Sequence, residues 1–161
     1  MENTLMNAFT LATAAGSAVL GGALVAFSTV VMPALASLTP RDGLEAMQAI
    51  NVAAPRGWLM LPLLGSAIGS AVVGGWAMFA DRGDGRWLLT AGALAGVAAF
   101  AVTAGYHVPR NTALGGVDAT SEAAVAAWAA YQPGWTALNS VRAALALASA
   151  GLMVAGTVRP S

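Results

Sequence analysis

An all-α bundle of four transmembrane helices, forming a single domain over residues 1–161, is the fold this sequence predicts. Three observations carry the prediction. The chain is 58% hydrophobic and only 9% charged, where a soluble domain carries about a quarter charged residues. Four stretches are long enough to cross a hydrocarbon core, which takes about 20 helical residues. Their apolar character continues around every helical face, so the surrounding medium is lipid and not water.

The first span is expected over about 8–38, longer than a crossing needs, so it tilts, bends near Pro33 or emerges from the membrane. Its only preceding charge is Glu2, so it reads as a retained helix and not as a cleaved leader with a basic start. The second, third and fourth spans are expected over about 58–80, 87–106 and 134–158. All four carry small residues at four-residue spacing, as in Ser17/Gly21, Gly22/Ala26, Gly65/Gly69, Gly92/Gly96 and Ala144/Ala148. In lipid, such residues let helix backbones approach, and their number favours a tight bundle.

The connections differ in content. Asp81–Arg86 is a short polar turn with two glycines and nothing beyond the needs of a hairpin. Before the second span, residues 41–51 form a short helix: Thr39 can cap it, Pro40 suits its first turn, and Asp42 and Glu45 favour its positive end. Leu44, Met47 and Ile50 recur at three-residue steps, consistent with a helix lying in the membrane interface. In the third connection, from His107 to Pro133, residues 121–131 read as a second short helix.

Four crossings put both termini on the side of the Asp81–Arg86 turn. The opposite face then collects Gln48, Asn51, His107, Arg110, Asn111, Asn139 and Arg142. Arginines are nearly balanced between the two sides, with Arg82, Arg86 and Arg159 against Arg41, Arg56 and Arg110. The shortness of the Asp81–Arg86 loop favours termini inside a bacterial cytoplasmic membrane.

Composition excludes several classes of function. Lys is absent and net charge is zero, so there is no basic face for nucleic acid. With no Cys and one His, a thiolate nucleophile is excluded, and a metal site in one protomer would need carboxylate ligands. No phosphate-binding loop or serine-hydrolase elbow occurs. The expected partners are the lipid bilayer and an apolar small molecule, and homo-oligomerisation is left open.

Trp135, Asn139 and Arg142 fall at i, i+4 and i+7, on one face of the last span, and Ala143–Val158 behind them carries no charge. A cation just inside an apolar helix either lines a wet or polar cavity or snorkels to the headgroups. His107 has the chemistry of a base or ligand, against a plain interfacial histidine. Asn111 and Asn139 can orient a polar ligand or simply bond between helices. Gln48 and Asn51 share one side of the first-loop helix and can face the same cavity. Trp58, Trp87, Trp128, Trp135 and Tyr131 fit aromatic belts, with stacking on a ligand as the other role for Trp128 and Trp135.

Three motifs occur in a specific order. The first is Ala26-Phe27-Ser28-Thr29-Val30-Val31-Met32-Pro33-Ala34-Leu35 followed by Ala46-Met47-Gln48-Ala49-Ile50-Asn51. The second is Val108-Pro109-Arg110-Asn111. The third is Trp128-Ala129-Ala130-Tyr131 leading to Trp135, Asn139 and Arg142. From about Gly16 to Gly151 the chain resembles the anthrone-oxygenase-like family of small four-helix membrane proteins. It departs from the family pattern in having His107 where Asn is more frequent, and Leu138-Asn139-Ser140 where Trp-Asn-His is frequent.

The resemblance implies oxidation of an anthrone-like or other phenolic substrate. The ring CH2 of an anthrone is acidic because its carbanion is delocalised onto oxygen, and such carbanions react with oxygen unaided. No cofactor is then required, only a base, a group that holds the oxyanion, and a water-poor pocket. Under this reading His107 and Arg142 are the catalytic candidates, and Gln48, Asn51, Asn111, Trp128, Trp135 and Asn139 bind substrate. Haem ligation through His107 is a variant that a Soret band would reveal. A non-catalytic protein that binds a lipid or quinone, or serves as a subunit of a membrane assembly, is the other class of function.

Overall fold

The computed structural model describes residues 2–79, 83 and 85–159. Among the described residues there is no strand, and four helices are long and apolar enough to cross a membrane: Thr4–Ala36, Met60–Phe79, Gly85–Gly115 and Ala123–Val158. The Asp81–Arg86 turn lies largely outside the described residues.

The first span consists of α1 (Glu2–Ala26), a π-helical turn (Phe27–Val31) and α2 (Met32–Ala36). The third repeats this construction with α5 (Gly85–Val102), a π turn (Thr103–His107) and α6 (Val108–Gly115). Each π turn ends two residues before a proline, Pro33 in the first span and Pro109 in the third. A proline ring clashes with the carbonyl four residues back and offers it no N–H. Widening the preceding turn relieves that clash and lets the helix continue.

This construction corrects the expected end of the third span. The third helix does not end at Tyr106; it runs through His107 and Pro109 to Gly115. Nor is 121–131 a separate short helix, because α7 (Ala123–Val158) passes unbroken through Pro133. Helices in lipid tolerate proline where neighbours satisfy the freed backbone. Here Arg110 Nη2 donates to the Ala130 carbonyl at 2.9 Å, one residue past the carbonyl that Pro133 leaves without its donor.

Between the first two spans, α3 (Pro40–Ala53) forms with the expected start. Thr39 Oγ1 accepts from the Asp42 N–H at 3.2 Å, and Arg41 pairs with Glu45 at 2.9 Å on the exposed side. Its apolar stripe turns inward and not toward lipid: Leu44 and Met47 are fully buried with Leu114, Trp128, Tyr131 and Trp135. Gln48 fastens it further, donating to the carbonyls of Leu114 and Val117, both at 2.9 Å. Thus α3 closes one end of the bundle. The loop before α7 is held by Asp118, which accepts from Thr120 N and Oγ1 at 2.8 Å. Those bonds hold the Asp118 carboxyl below its usual range.

The second span is α4 (Met60–Phe79). Around the bundle the order is α1, α4, α5, α7, each packed on the next and α7 closing on α1. Small residues make the contacts close at some of the expected pairs. A Cβ on Gly21 would stand 2.8 Å from Leu147, and one on Gly92 would stand 3.0 Å from Met153. Gly22 and Gly65 instead face open space, and Ala144 and Ala148 are exposed. Outward positions such as Leu61, Ile68, Phe79 and Leu94 are exposed and apolar, as lipid-facing residues of an integral membrane protein are.

Candidate functional site

On α7, steps of three, four, four and three residues turn Trp128, Tyr131, Trp135, Asn139 and Arg142 inward, and all five are buried. The third span opposes them with Thr103, His107 and Asn111, four residues apart. The first span contributes the π turn that carries Ser28. Three spans thus bring polar groups together at one end of the bundle.

Arg142 settles between the two readings that its position allows. It is 7% exposed and points inward, so it does not snorkel. Nη1 donates to Thr103 Oγ1 at 3.1 Å, and Nη2 donates to Asn139 Oδ1. Nε is buried without a partner. Among the described residues the ion pair is Arg41–Glu45, and no described carboxylate neutralises Arg142. A cation taken out of water without a counter-charge costs several kcal/mol, which makes this position receptive to an anion.

Asn139 has no exposed surface and is held from both sides. Its Nδ2 donates to the Leu24 carbonyl at 2.7 Å and to Ser28 Oγ at 2.8 Å, while its Oδ1 accepts from Arg142. The amide is therefore fixed in orientation by the first span, and it fixes the guanidinium in turn.

His107 is also buried, with its ring edge-on to Tyr106 and Trp135 at centroid distances of 5.3 and 5.2 Å. Nδ1 stands 3.4 Å from the Val102 carbonyl and Nε2 stands 3.3 Å from the Trp135 carbonyl. Both separations exceed the usual hydrogen-bond range of about 2.7–3.2 Å. A neutral imidazole carries a single N–H, so only one of these two nitrogens can donate to the carbonyl it faces.

Asn111 organises an aromatic ladder. Its Oδ1 accepts from Tyr131 Oη at 2.8 Å and from Trp135 Nε1 at 2.9 Å. Trp128 stacks on Tyr131, and Tyr131 on Trp135, with centroids 5.8 and 6.3 Å apart.

Several of these groups line a cavity of about 540 Å³. Its polar wall is Thr103, His107, Asn111, Asn139 and Arg142 with Asn51, and Trp135 forms a flat side. Leu20, Leu24, Phe27 and Leu63 make the rest apolar. A larger, more open basin of about 1080 Å³ lies between α3 and α6 and shares Asn51 and Asn111 with the cavity.

The structure thus brings together six of the eight residues singled out in the sequence: Asn51, His107, Asn111, Trp135, Asn139 and Arg142. Gln48 lines the outer basin and spends its amide on the end of α6. Trp128 lies in the aromatic core and lines neither space. Trp58 and Trp87 are exposed, as belt residues are, whereas Trp128 and Trp135 are not. Thr103, Ser28 and the Leu24 carbonyl were not singled out. Thr103 had a signal, since it precedes His107 by one helical turn, but that signal is visible only once the helix is known to continue through His107. Among the described residues, no three His, Cys, Asp or Glu side chains are placed to hold a metal ion.

A family model described as anthrone oxygenase matches residues 6–152, nearly the whole chain. No curated protein and no solved structure matches it. The chain belongs to the anthrone oxygenase family.

Proposed function

We propose that this member of the anthrone oxygenase family oxidises a flat, apolar phenolic or anthrone-like molecule in the cavity, using oxygen and no bound cofactor. The observation that carries the reading is the buried Arg142 guanidinium, without a counter-charge, on the wall of an apolar cavity. Such a site favours a ligand that becomes anionic only after it is bound, because a molecule already charged would have to shed its water first.

The reaction balances without a further reactant. His107 removes a proton from the ring CH2, and the carbanion delocalises its charge onto the ring oxygen beside Arg142. The carbanion passes one electron to O2, and the resulting radical pair joins to form a C–O bond as a hydroperoxide. Loss of the second C–H proton with cleavage of the O–O bond gives the carbonyl and water. In sum, CH2 and O2 become C=O and H2O. Asn139 and Thr103 position the guanidinium, and Trp135 offers a face to the ring system.

For His107 to act as the base, one ring nitrogen must exchange its carbonyl contact for the substrate, and the length of both contacts supports this. Haem ligation would need the same exchange and a place for a porphyrin between Tyr106 and Trp135. An absorption spectrum of the purified protein distinguishes the two. We further propose that the protein lies in a bacterial cytoplasmic membrane with both termini inside, and that its partners are lipid and the small-molecule substrate, with no nucleic acid.

The test is oxygen consumption by the purified protein with anthrone in detergent, compared with protein-free micelles. Arg142→Lys keeps the charge but cannot reach Thr103 and Asn139 together, and should lower the enzymatic rate by about 100-fold. Equal oxygen uptake with and without the wild-type protein would rule the oxygenase reading out. A non-catalytic receptor for a quinone or lipid would then stand in its place.

A further inference from the structure

Most hydroxyls inside the spans turn back onto their own helix. Thr10, Thr13, Thr90, Thr103 and Thr157 each donate to the carbonyl four residues earlier. Ser17, Ser70 and Ser149 do not. Ser17 is 1% exposed and the other two are fully buried, and the Oγ of each is without a partner. A buried hydroxyl left unbonded is costly, and here three of them come from three different spans. None of the three lines the cavity beside Arg142.

They also converge. A Cβ on Gly96 of α5 would fall on Ser70 Oγ and stand 2.9 Å from Ser149 Oγ. The hydroxyls of α4 and α7 therefore crowd the same bare stretch of α5 backbone, near enough for one small molecule to reach both. Ser17 of α1 lies between two contacts that lead to the same place. One turn before it, Thr13 packs on Gly69, the neighbour of Ser70; one turn after it, Gly21 packs on Leu147, two residues from Ser149. An apolar cluster that includes Ala14, Val73 and Met153 closes this layer on the side of the termini.

We propose that this layer is a second polar site, in the waist of the bundle, which holds a buried water molecule shared by Ser17, Ser70 and Ser149. Buried waters make about three hydrogen bonds to groups otherwise unsatisfied. Each hydroxyl both donates and accepts, so one water and three serines can satisfy one another. The occupant is neutral for a reason of charge. No Asp or Glu lies in the four spans, so a metal cation would stand without a counter-charge, with Arg142 two turns from Ser149 on the same helix. An anion would have to shed its water for neutral donors alone. The water joins α1, α4 and α7 through one hydrogen-bonded node, independently of the reaction proposed for the cavity.

Oxygen-17 relaxation dispersion of the protein in detergent counts long-lived internal waters. A triple variant, Ser17→Ala with Ser70→Ala and Ser149→Ala, should hold one fewer than the wild type. Unfolding midpoints give an independent readout. Each single alanine leaves the water short of a partner and should lower the midpoint by about 2–4 °C. The triple variant removes water and hydroxyls together, so it should melt no lower than the least stable single variant. Equal water counts would overturn the proposal. So would single variants without effect, the result expected if each hydroxyl bonds its own helix. A triple variant that loses the sum of the three single effects, or fails to fold, would overturn it too. Replacing sodium chloride with choline gluconate should leave the wild-type midpoint where the triple variant's behaviour puts it. A shift confined to the wild type would make the occupant an ion and overturn the proposal.

Discussion

Asn139 Oδ1 accepts from Arg142 Nη2 one turn further along the same helix, while Asn139 Nδ2 reaches across the bundle to the Leu24 carbonyl. One amide therefore joins the cation of the last span to the backbone of the first. The join falls one turn before the π turn at Phe27–Val31 and beside Ser28 within it. The cation is aimed by a part of the molecule far away in sequence, which makes Asn139 a positioning residue.

Asn139→Ala should cost stability and activity together. It leaves the Leu24 carbonyl and one face of the guanidinium unsatisfied, at about 1–3 kcal/mol for each buried group. A fall in the thermal unfolding midpoint in detergent, with reduced oxygen uptake from the fraction that stays folded, is the expected result. Full activity in a folded Asn139→Ala protein would show that Arg142 does not need this amide.

The bundle and much of the site were legible in the sequence because lipid imposes simple rules. Long uncharged stretches must be spans, and the i, i+4, i+7 spacing of Trp135, Asn139 and Arg142 holds on any helix. What misled was the polar, proline-bearing stretch from His107 to Pro133, read as a connection. Pro109 and Pro133 instead each sit inside a continuous helix, one behind a π turn and one beside Gly134. With the third helix ended at Tyr106, Thr103 and His107 fell on different elements, and their shared face was hidden. The fate of Gln48 was not readable either, since its acceptors, Leu114 and Val117, lie in the stretch then taken for a loop.

Gly43→Ala should destabilise the protein although it replaces glycine inside a helix, a change worth up to about 1 kcal/mol in the opposite direction elsewhere. A Cβ there would stand 2.8 Å from the Leu35 carbonyl oxygen and 2.9 Å from Trp128 Nε1. Backbone and a buried indole have little freedom to yield, so the expected cost is about 1–3 kcal/mol. Gly22→Ala, with no atom within 4 Å of its Cβ, serves as the control and should be neutral or stabilising. Equal melting behaviour of the two variants would show that α3 does not pack on Trp128 as described.

The chain has no cysteine, so single cysteines report topology without background. Thr4→Cys and Gly115→Cys flank opposite ends of the bundle, and both positions are exposed. A membrane-impermeant maleimide applied to intact cells should label the second and reach the first only after permeabilisation. Labelling in the reverse order would invert the proposed orientation, and labelling of both from one side would contradict the four crossings.

Arg142→Met separates a structural cation from a functional one. If Arg142 were kept for stability, replacing it with an uncharged side chain of similar length should loosen the bundle. Its burial argues the opposite. The guanidinium has two hydrogen bonds, an unpartnered Nε and no carboxylate partner. Methionine fills irregular apolar space without any such penalty, and exchanging buried charge for packed apolar atoms is often neutral or stabilising by about 1–4 kcal/mol. The acceptors left behind, Asn139 Oδ1 and Thr103 Oγ1, offset part of that gain, and Thr103 keeps its own bond to the Ala99 carbonyl at 3.0 Å. The unfolding midpoint should therefore stay level or rise, while oxygen uptake with anthrone falls by about 100-fold or more. Loss of folding together with activity would make Arg142 a structural residue and remove the main support for the proposed reaction. A stable, inactive protein would show that the chain keeps a costly charge in its interior for the substrate.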